Sequence, residues 1–274
     1  MFIASETSNI HRTEISDAEL RSLAPSVFAA QAMPGTSARY TFLPTDQIVT
    51  AMRQEGWKPT EAREMRPRME ARRGFQRHMI RFQRRDEIAE KGEYTPEVVL
   101  INSHDRSSGY QIHAGLFRFI CSNGMMVSDG LIPSIHVRHT GQEIGQIITA
   151  SFQILDQLPK LADRVARFKS IGLSADIQRQ FAERALALRY DRPELAPINA
   201  TQLLEARRSE DAGPTLWETV NKVSENLLRG GMRDTSRVNR AGKPFRPMRP
   251  IRGLGANVGI NLGIWGLAES YILN

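Results

Sequence analysis

The sequence predicts an α+β fold, with one or two helices against an antiparallel sheet in the N-terminal half and a mainly helical C-terminal half. Three observations predict it. Short alternating or continuously apolar segments separated by turn residues fill the chain from residue 57 to 141. Beyond residue 146 the apolar spacing becomes helical. The chain has 274 residues, is 41% hydrophobic and contains one cysteine, so it is long enough to bury a core and has no internal disulfide.

The N-terminal half predicts a helix followed by strands. Residues 1–40 are polar and irregular, and we predict a flexible arm or a peripheral strand there. A helix is expected in LPTDQIVTAMRQEGWKP, because Thr45 or Asp46 can cap it and Gly56 suits a left-handed C-terminal position. GFQRHMIRFQRR then predicts a strand or hairpin with one exposed face, although a helix remains an alternative. The strands EVVLINS, YQIHAGLFRFIC and SIHVRHTG complete a mixed, basic region, 41–145.

Residues 146–232 predict helices. Pro159 is expected to kink or split the first, Ser174 to cap the second and Gly230 to end the third. Residues 233–256 are rich in arginine, proline and glycine and predict a basic loop, and residues 257–274 return to helical spacing. No apolar run approaches the roughly 18 residues of a membrane span. The N-terminus lacks an export pattern, so we expect a cytoplasmic protein.

Two basic zones stand out from an otherwise acidic chain, whose net charge is +7. The first zone, Arg63 to Arg85, has nine arginines against two glutamates, and the second, Arg229 to Arg252, has seven arginines and one lysine against one aspartate. Guanidinium groups match phosphate oxygens in pairs and stack on flat rings, so the zones favour nucleic acid as a partner. The alternative is that these arginines pair with the acidic remainder of the chain.

The predicted nucleic-acid-binding residues come from both zones. They are Arg63, Arg66, Arg68, Arg72, Arg73, Arg77, Arg81, Arg84, Arg85, Arg240, Lys243, Arg246 and Arg249. Trp57, Phe75, Phe82 and Tyr110 lie within or near the first zone, a combination typical of single-strand binding, in which each stacked base contributes about 1–3 kcal/mol. The same aromatic residues could instead belong to the core.

Signals for catalysis are weaker. His104 and Asp105 in INSHDRSSGYQ, with His136 and His139, could be metal ligands or a proton shuttle. On a strand, however, the odd spacing of the histidine pair puts the two rings on opposite faces, and the first segment also fits a hydrogen-bonded turn. Cys121 ends an apolar strand without an identifiable base. No phosphate-loop pattern is present. We therefore predict no catalytic residue, metal or cofactor.

Several motifs together resemble one family. They are GFQRHMIRF, VLINSHDRSSGYQIHAGLFRFICSNGMMV, VRHTG, FAERALALRY and RRSEDAGPTLWETVNKVSENLLRGG. From about residue 41 to the C-terminus the chain is similar to the phage/plasmid-like proteins grouped as domain of unknown function 932. This resemblance implies DNA processing or maintenance by mobile elements and carries over no site residue. MRQEGW and the order of elements are also similar in outline to ring-forming single-strand annealing proteins.

The leading hypothesis is a non-enzymatic, homo-oligomeric protein that binds or anneals single-stranded DNA. The first basic zone would line the binding groove, and the second would clamp or reinforce it. Two alternatives stay open. One is a metal-dependent DNA-processing enzyme that uses His104, Asp105 and the histidine pair, and the other is an interaction protein whose basic zones meet an acidic partner.

Overall fold

The computed structural model describes residues 13–37, 39–67, 69–84, 94–118, 123–126, 134–137, 144–239 and 241–272. Within these ranges the predicted α+β fold is confirmed, with an antiparallel sheet in the N-terminal half and helices in the C-terminal half. No helix in the described ranges is long and apolar enough to cross a membrane. Five residues of functional interest lie outside the described ranges: Arg68, Arg85, Cys121, His139 and Arg240.

The sheet is antiparallel and has six described strands. They are β1 (Trp57–Glu64), β2 (His78–Arg84), β3 (Tyr94–Asn102), β4 (Tyr110–Arg118), β5 (Asn123–Met126) and β6 (Ile135–Val137). The order is β1-β2-β3-β4-β5, and β6 also pairs with β4. β1 therefore forms one end of the described sheet, and its register against β2 shifts between Pro59 and Glu61. The Pro59 carbonyl accepts a hydrogen bond from Ile15 N at 2.9 Å.

Eight α-helices surround this sheet in the described residues. They are α1 (Asp17–Leu23), α2 (Thr45–Gln54), α3 (Ile144–Leu155), α4 (Leu158–Ser170), α5 (Ala175–Ala187), α6 (Ala200–Leu203), α7 (Leu216–Arg229) and α8 (Leu254–Glu269). The predicted helix boundaries are confirmed. α3 and α4 are separate helices, and Pro159 lies in the first turn of α4. Ser174 caps α5, and Gly230 ends α7 with φ of 64°. Gly56 follows α2 with φ of 84°.

The N-terminal arm is a correction to the sequence prediction. Ser16 and Glu19 form a reciprocal capping box at the start of α1. Leu20 in this helix, together with Ala24 and Val27 after it, is fully buried in the main core. The described part of the N-terminal region therefore packs as part of the domain, and its signal was the short pattern S-x-x-E ahead of apolar residues.

β2 is covered on both faces, so the expectation of one exposed face was wrong. Ile80 and Phe82 point into the main core. Met79 points the other way and joins a second buried cluster with Val99 of β3 and Leu254 of α8. α8, which begins about 170 residues after β2 in the chain, thus covers the face of β2 that the local sequence pattern predicted to be exposed.

The basic tract between α7 and α8 is held by backbone hydrogen bonds rather than by regular structure. Gly231 N donates to Met248 O and Met248 N to Met232 O, both at 2.7 Å, and Ile251 N donates to Leu228 O at 2.8 Å. These bonds fold the tract back along its own start. Its described part therefore has a defined path across the helical half.

Candidate anion-binding cleft

Two connections of the sheet meet beside the ends of β2 and β3. The β1–β2 connection carries a single 3-10 turn at Glu70–Arg72, and Gly74 then takes φ of 85°, a left-handed conformation that suits glycine. Phe75 O accepts from His104 N at 2.8 Å, which ties this connection to the β3–β4 turn. Met65 N donates to Arg77 O, also at 2.8 Å. The two loops are therefore fixed relative to each other.

Between these loops lies a cleft of about 320 Å³. We call it the arginine cleft, and its lining residues are Met65, Arg66, Pro67, Arg72, Gln76, Arg77, Asp105 and Ser107. Three guanidinium groups and one carboxylate therefore face a common space. The local charge is positive, and the volume is that of a small ligand or of one unit of a polymer.

The three arginines differ in how much of their charge is already paired. Arg72 Nη1 lies 3.4 Å from Asp105 Oδ2, a long ion pair. Arg77 Nη2 reaches only the carbonyl oxygen of Ser107, at 3.5 Å, and its buried Nε has no partner among the described residues. Arg66 is exposed and forms no ion pair with any residue in the described ranges. Among the described residues, two of the three charges therefore have no carboxylate partner.

Asp105 stays ionised near neutral pH. Burial alone would raise the pKa of this carboxyl, but hydrogen bonds from Ser107 and Ser103 and the charge of Arg72 together lower it below the ordinary value. Its Oδ1 accepts from Ser107 N at 3.0 Å, which is the turn that the sequence predicted. Asp105 thus acts as a structural acceptor that orients Arg72 and the turn.

Arg106, between two lining residues, has φ of 68°, which is unusual for a residue other than glycine. Its Nη1 donates to Gly35 O at 2.9 Å. Side-chain and backbone bonds therefore hold the turn in a strained conformation, a feature that often accompanies binding sites.

Gln76 is the least expected member of the lining. It is 5% exposed, and its Nε2 donates to Glu64 Oε1 at 2.5 Å. Its Oε1 has no hydrogen-bond partner among the described residues. An unsatisfied buried acceptor costs about 1–3 kcal/mol, so a donor that reached this buried atom from the cleft would recover that free energy.

A buried polar network centred on Thr45 supports the β3–β4 turn from below. The Thr45 hydroxyl lies 3.1 Å from each of four groups on His78, Asn102, His104 and Tyr110, and all five residues are fully buried. One hydroxyl makes at most three hydrogen bonds, one as donor and two as acceptor. Thr45, expected to cap α2, instead joins that helix to three strands and to His104.

The other arginines of the first zone lie apart from this cleft. Arg63 pairs with Glu61, and Arg73 pairs with Glu70 on the surface of the 3-10 turn. The Arg84 guanidinium lies 5.8 Å from the ring centroids of Trp57 and Phe152. These arginines are held by neighbouring side chains.

Arg81 is a correction. It is 2% exposed, and its Nη1 lies 2.6 Å from Oε2 of Glu97, which is fully buried. The predicted binding role depended on the expectation that the segment GFQRHMIRFQRR has one exposed face. Both faces of β2 are covered, so Arg81 is a structural partner of acidic residues and cannot reach a phosphate.

The second zone is partly paired and partly exposed. Arg229 binds Glu225 at 2.8 Å, and Arg237 binds Asp234 at 2.6 Å. The exposed members that form no ion pair with a described residue are Arg233, Lys243, Arg246, Arg249 and Arg252. They form a basic segment on the surface.

The aromatic residues near the first zone are mostly core. Trp57, Phe82 and Tyr110 are at most 1% exposed, so none of the three offers a ring to a base. Phe75 is partly buried and directly precedes Gln76 of the cleft lining, but it is not itself a lining residue. Of the four aromatic residues considered from sequence, it is the one whose side chain is not fully buried.

The described residues of the metal-dependent alternative have different neighbours and do not form one site. His104 belongs to the buried Thr45 network, whereas Asp105 binds Arg72 at the cleft. His136 lies on β6, where its ring packs edge-on against His113 with a centroid separation of 6.3 Å. In the described ranges no group of three or more histidine, cysteine, aspartate or glutamate residues could hold a metal ion.

Comparison with known proteins identifies a family and several relatives of this chain. Residues 33–250 match the model of a family described as "Domain of unknown function (DUF932)". Over 254 residues the chain is 31% identical to UPF0380 protein YfjQ and 32% identical to UPF0380 protein YafZ, both of Escherichia coli strain K12, and each match covers 93% of this chain and 90% of the relative. No solved structure matches significantly. The family match includes every residue that lines the arginine cleft.

Proposed function

Because the chain belongs to the DUF932 family, as its motifs predict, and that family's description states no activity, we propose a function from the chain's own geometry: it binds nucleic acid, and specifically single-stranded DNA, through the arginine cleft. The observation that carries the proposal is the convergence of Arg66, Arg72 and Arg77 on one space of about 320 Å³. Guanidinium groups in such an arrangement suit the paired oxygens of a phosphate.

Size favours a single strand over a duplex. A space of about 320 Å³ admits one nucleotide with its base turned inward, whereas the base of a duplex would have to leave its pair to enter it. Phe75, which is partly buried and adjoins Gln76 in the chain, is the aromatic residue of this zone that is not fully buried, and unpaired bases stack on such rings. The exposed charges of Lys243, Arg246 and Arg249 add further phosphate contacts for a strand long enough to reach them.

The remaining features of the hypothesis follow from this binding. We propose that the protein acts in the cytoplasm, within the DNA maintenance of mobile elements, and that several copies bind one strand. Annealing is the activity such an assembly would have, since it requires no catalytic group. No catalytic residue is proposed.

The salt dependence of binding tests the proposal. Each phosphate contact to a single strand contributes about −0.7 to the slope of log affinity against log salt. The double variant Arg66→Gln/Arg77→Gln should therefore flatten the slope for a dT oligonucleotide by about 1.4 units. Arg72 is left in place because its loss would leave Asp105 without its cation.

The matched control is Arg167→Gln/Arg192→Gln, which removes two exposed arginines, on α4 and after α5, that form no ion pair with any described residue. It removes the same net charge and should leave the slope within about 0.3 units of wild type, since charges away from the strand are screened. Equal slopes for both double variants, with both proteins folded by circular dichroism, would contradict the assignment of binding to the cleft.

A further inference from the structure

We propose that the arginine cleft holds one unpaired nucleotide with its base inward, and that Gln76 Oε1 accepts a hydrogen bond from an N–H on the Watson–Crick edge of that base. This inference rests on the proposed function and adds to it a reason for single-strand selection. It assigns a role to Gln76, a residue without charge.

The orientation of the Gln76 amide is fixed by its neighbour. Glu64 Oε2 accepts from Ser26 N at 2.8 Å, and Glu64 Oε1 accepts from Gln76 Nε2 at 2.5 Å. A carboxylate ion only accepts hydrogen bonds, so the amide nitrogen must face Glu64. The amide oxygen, Oε1, therefore faces away from Glu64 and can only accept a hydrogen bond from another group.

That acceptor selects for a hydrogen-bond donor. Gln76 is 5% exposed and lines the cleft, and its Oε1 has no partner among the described residues. An ionised phosphodiester has no donor, and an internal deoxyribose has none either. In a DNA strand the donors are the N–H groups of the bases, so a ligand that satisfies both the arginines and Gln76 must present a phosphate and a base together.

The same acceptor discriminates against paired DNA. Every base carries at least one N–H on its Watson–Crick edge, so the contact needs no particular sequence. In a duplex the N–H groups on that edge are hydrogen-bonded to the opposite strand, and the second N–H of each amino group points into a groove, so the base cannot present either inside the cleft. A base that is unpaired and turned into the cleft can donate to Gln76 Oε1, whereas its phosphate remains beside Arg66 and Arg77.

Thymine gives the sharpest test, because N3–H is its sole N–H donor. An oligonucleotide of N3-methylthymidine has the same charge and length as the dT oligonucleotide but no base donor. Wild-type protein should bind the methylated strand at least about tenfold more weakly, with an unaltered salt slope, because a lost hydrogen bond to a buried acceptor leaves the phosphate contacts in place. A strand of tetrahydrofuran abasic sites with the same number of phosphates should bind at least as weakly, because it lacks the stacking surface of the base as well as the donor.

The protein-side test is Gln76→Met, which keeps the length of the side chain and removes its amide. This variant should bind dT and N3-methyl-dT equally, at the weaker affinity. Should the variant fail to fold, the comparison of the two strands on wild-type protein still decides the question. Its control is Gln83→Met, an amide on β2 that binds Glu97 and does not line the cleft, which should keep the wild-type preference.

The outcomes separate this inference from the function on which it rests. Equal wild-type affinity for dT, N3-methyl-dT and abasic strands, with the arginine-dependent salt slope present, would overturn the base contact and leave strand binding intact. Absence of any binding to dT overturns the proposed function. Thymidine monophosphate that binds in a Gln76-dependent way when the strand does not would support the inward base and assign the cleft to free nucleotides.

Discussion

Replacing Arg81 with methionine is expected to lower the free energy of unfolding by about 3–5 kcal/mol, the cost of removing one partner from a buried ion pair. Arg81 is 2% exposed and Glu97 is fully buried, with 2.6 Å between Nη1 and Oε2. Glu61 lies 3.7 Å away on the neighbouring strand. Without the guanidinium, Glu97 keeps a hydrogen bond from Gln83 but no adjacent cation, so its charge stays buried and uncompensated.

The compensating variant is Arg81→Met/Glu97→Gln. It removes both charges and keeps an amide oxygen for Gln83, so it should recover most of the loss, to within about 1–2 kcal/mol of wild type. Arg73→Gln serves as the surface control. Its side chain is 71% exposed and pairs with an exposed glutamate, so its effect should be below about 1 kcal/mol.

Urea unfolding followed by circular dichroism measures all three variants. A loss of less than about 1 kcal/mol for Arg81→Met would refute the reasoning, since it would mean that water reaches the pair and screens it. Strand binding by the same variant, measured below its unfolding transition, should retain the wild-type salt slope. A flatter slope of log affinity against log salt would mean that Arg81 contacts the strand after all.

Two further predictions concern packing and pH. A Cβ on Gly115 would lie 2.8 Å from Val99 Cγ2, so Gly115→Ala should destabilise the sheet by about 1–3 kcal/mol in urea unfolding, and a neutral effect would contradict the close approach. Hydrogen bonds from Ser236 and Arg237 lower the pKa of Asp234 from 3.8 to about 2, so its stabilisation is complete above pH 4 and is lost as pH falls through 2. Asp234→Asn should flatten the fall of Tm between those values, and an unchanged profile would argue against it.

Local patterns predicted the elements well where the signal lies within one segment. Pro159, Ser174 and Gly230 were placed correctly because a kink, a cap and a stop depend on neighbouring residues. α1 was missed although Ser16 and Glu19 carry a capping signal, because the segment is short and mostly polar. At α1 the short capping pattern was a better guide to the helix than the polar composition of the segment.

The candidate site was predicted in part, and the missing part depends on contacts between distant segments. Composition drew attention to the arginines, but burial of Arg81 depends on Glu97, which lies on the next strand, and on a cover that includes α8. Arg66 and Arg77 instead face a cleft completed by the β3–β4 turn. Gln76 carries no charge, so charge patterning could not indicate it. Its unpartnered Oε1 among the described residues is a feature of the folded structure alone.

The end of the sheet at β1 bears on how copies of the chain could meet. A strand from another molecule extends a sheet by pairing with a regular row of backbone donors and acceptors. On β1, Pro59 has no N–H, its carbonyl is occupied by Ile15, and the register is interrupted before Glu61. This margin therefore resists continuation of the sheet by a strand from a second copy of the chain.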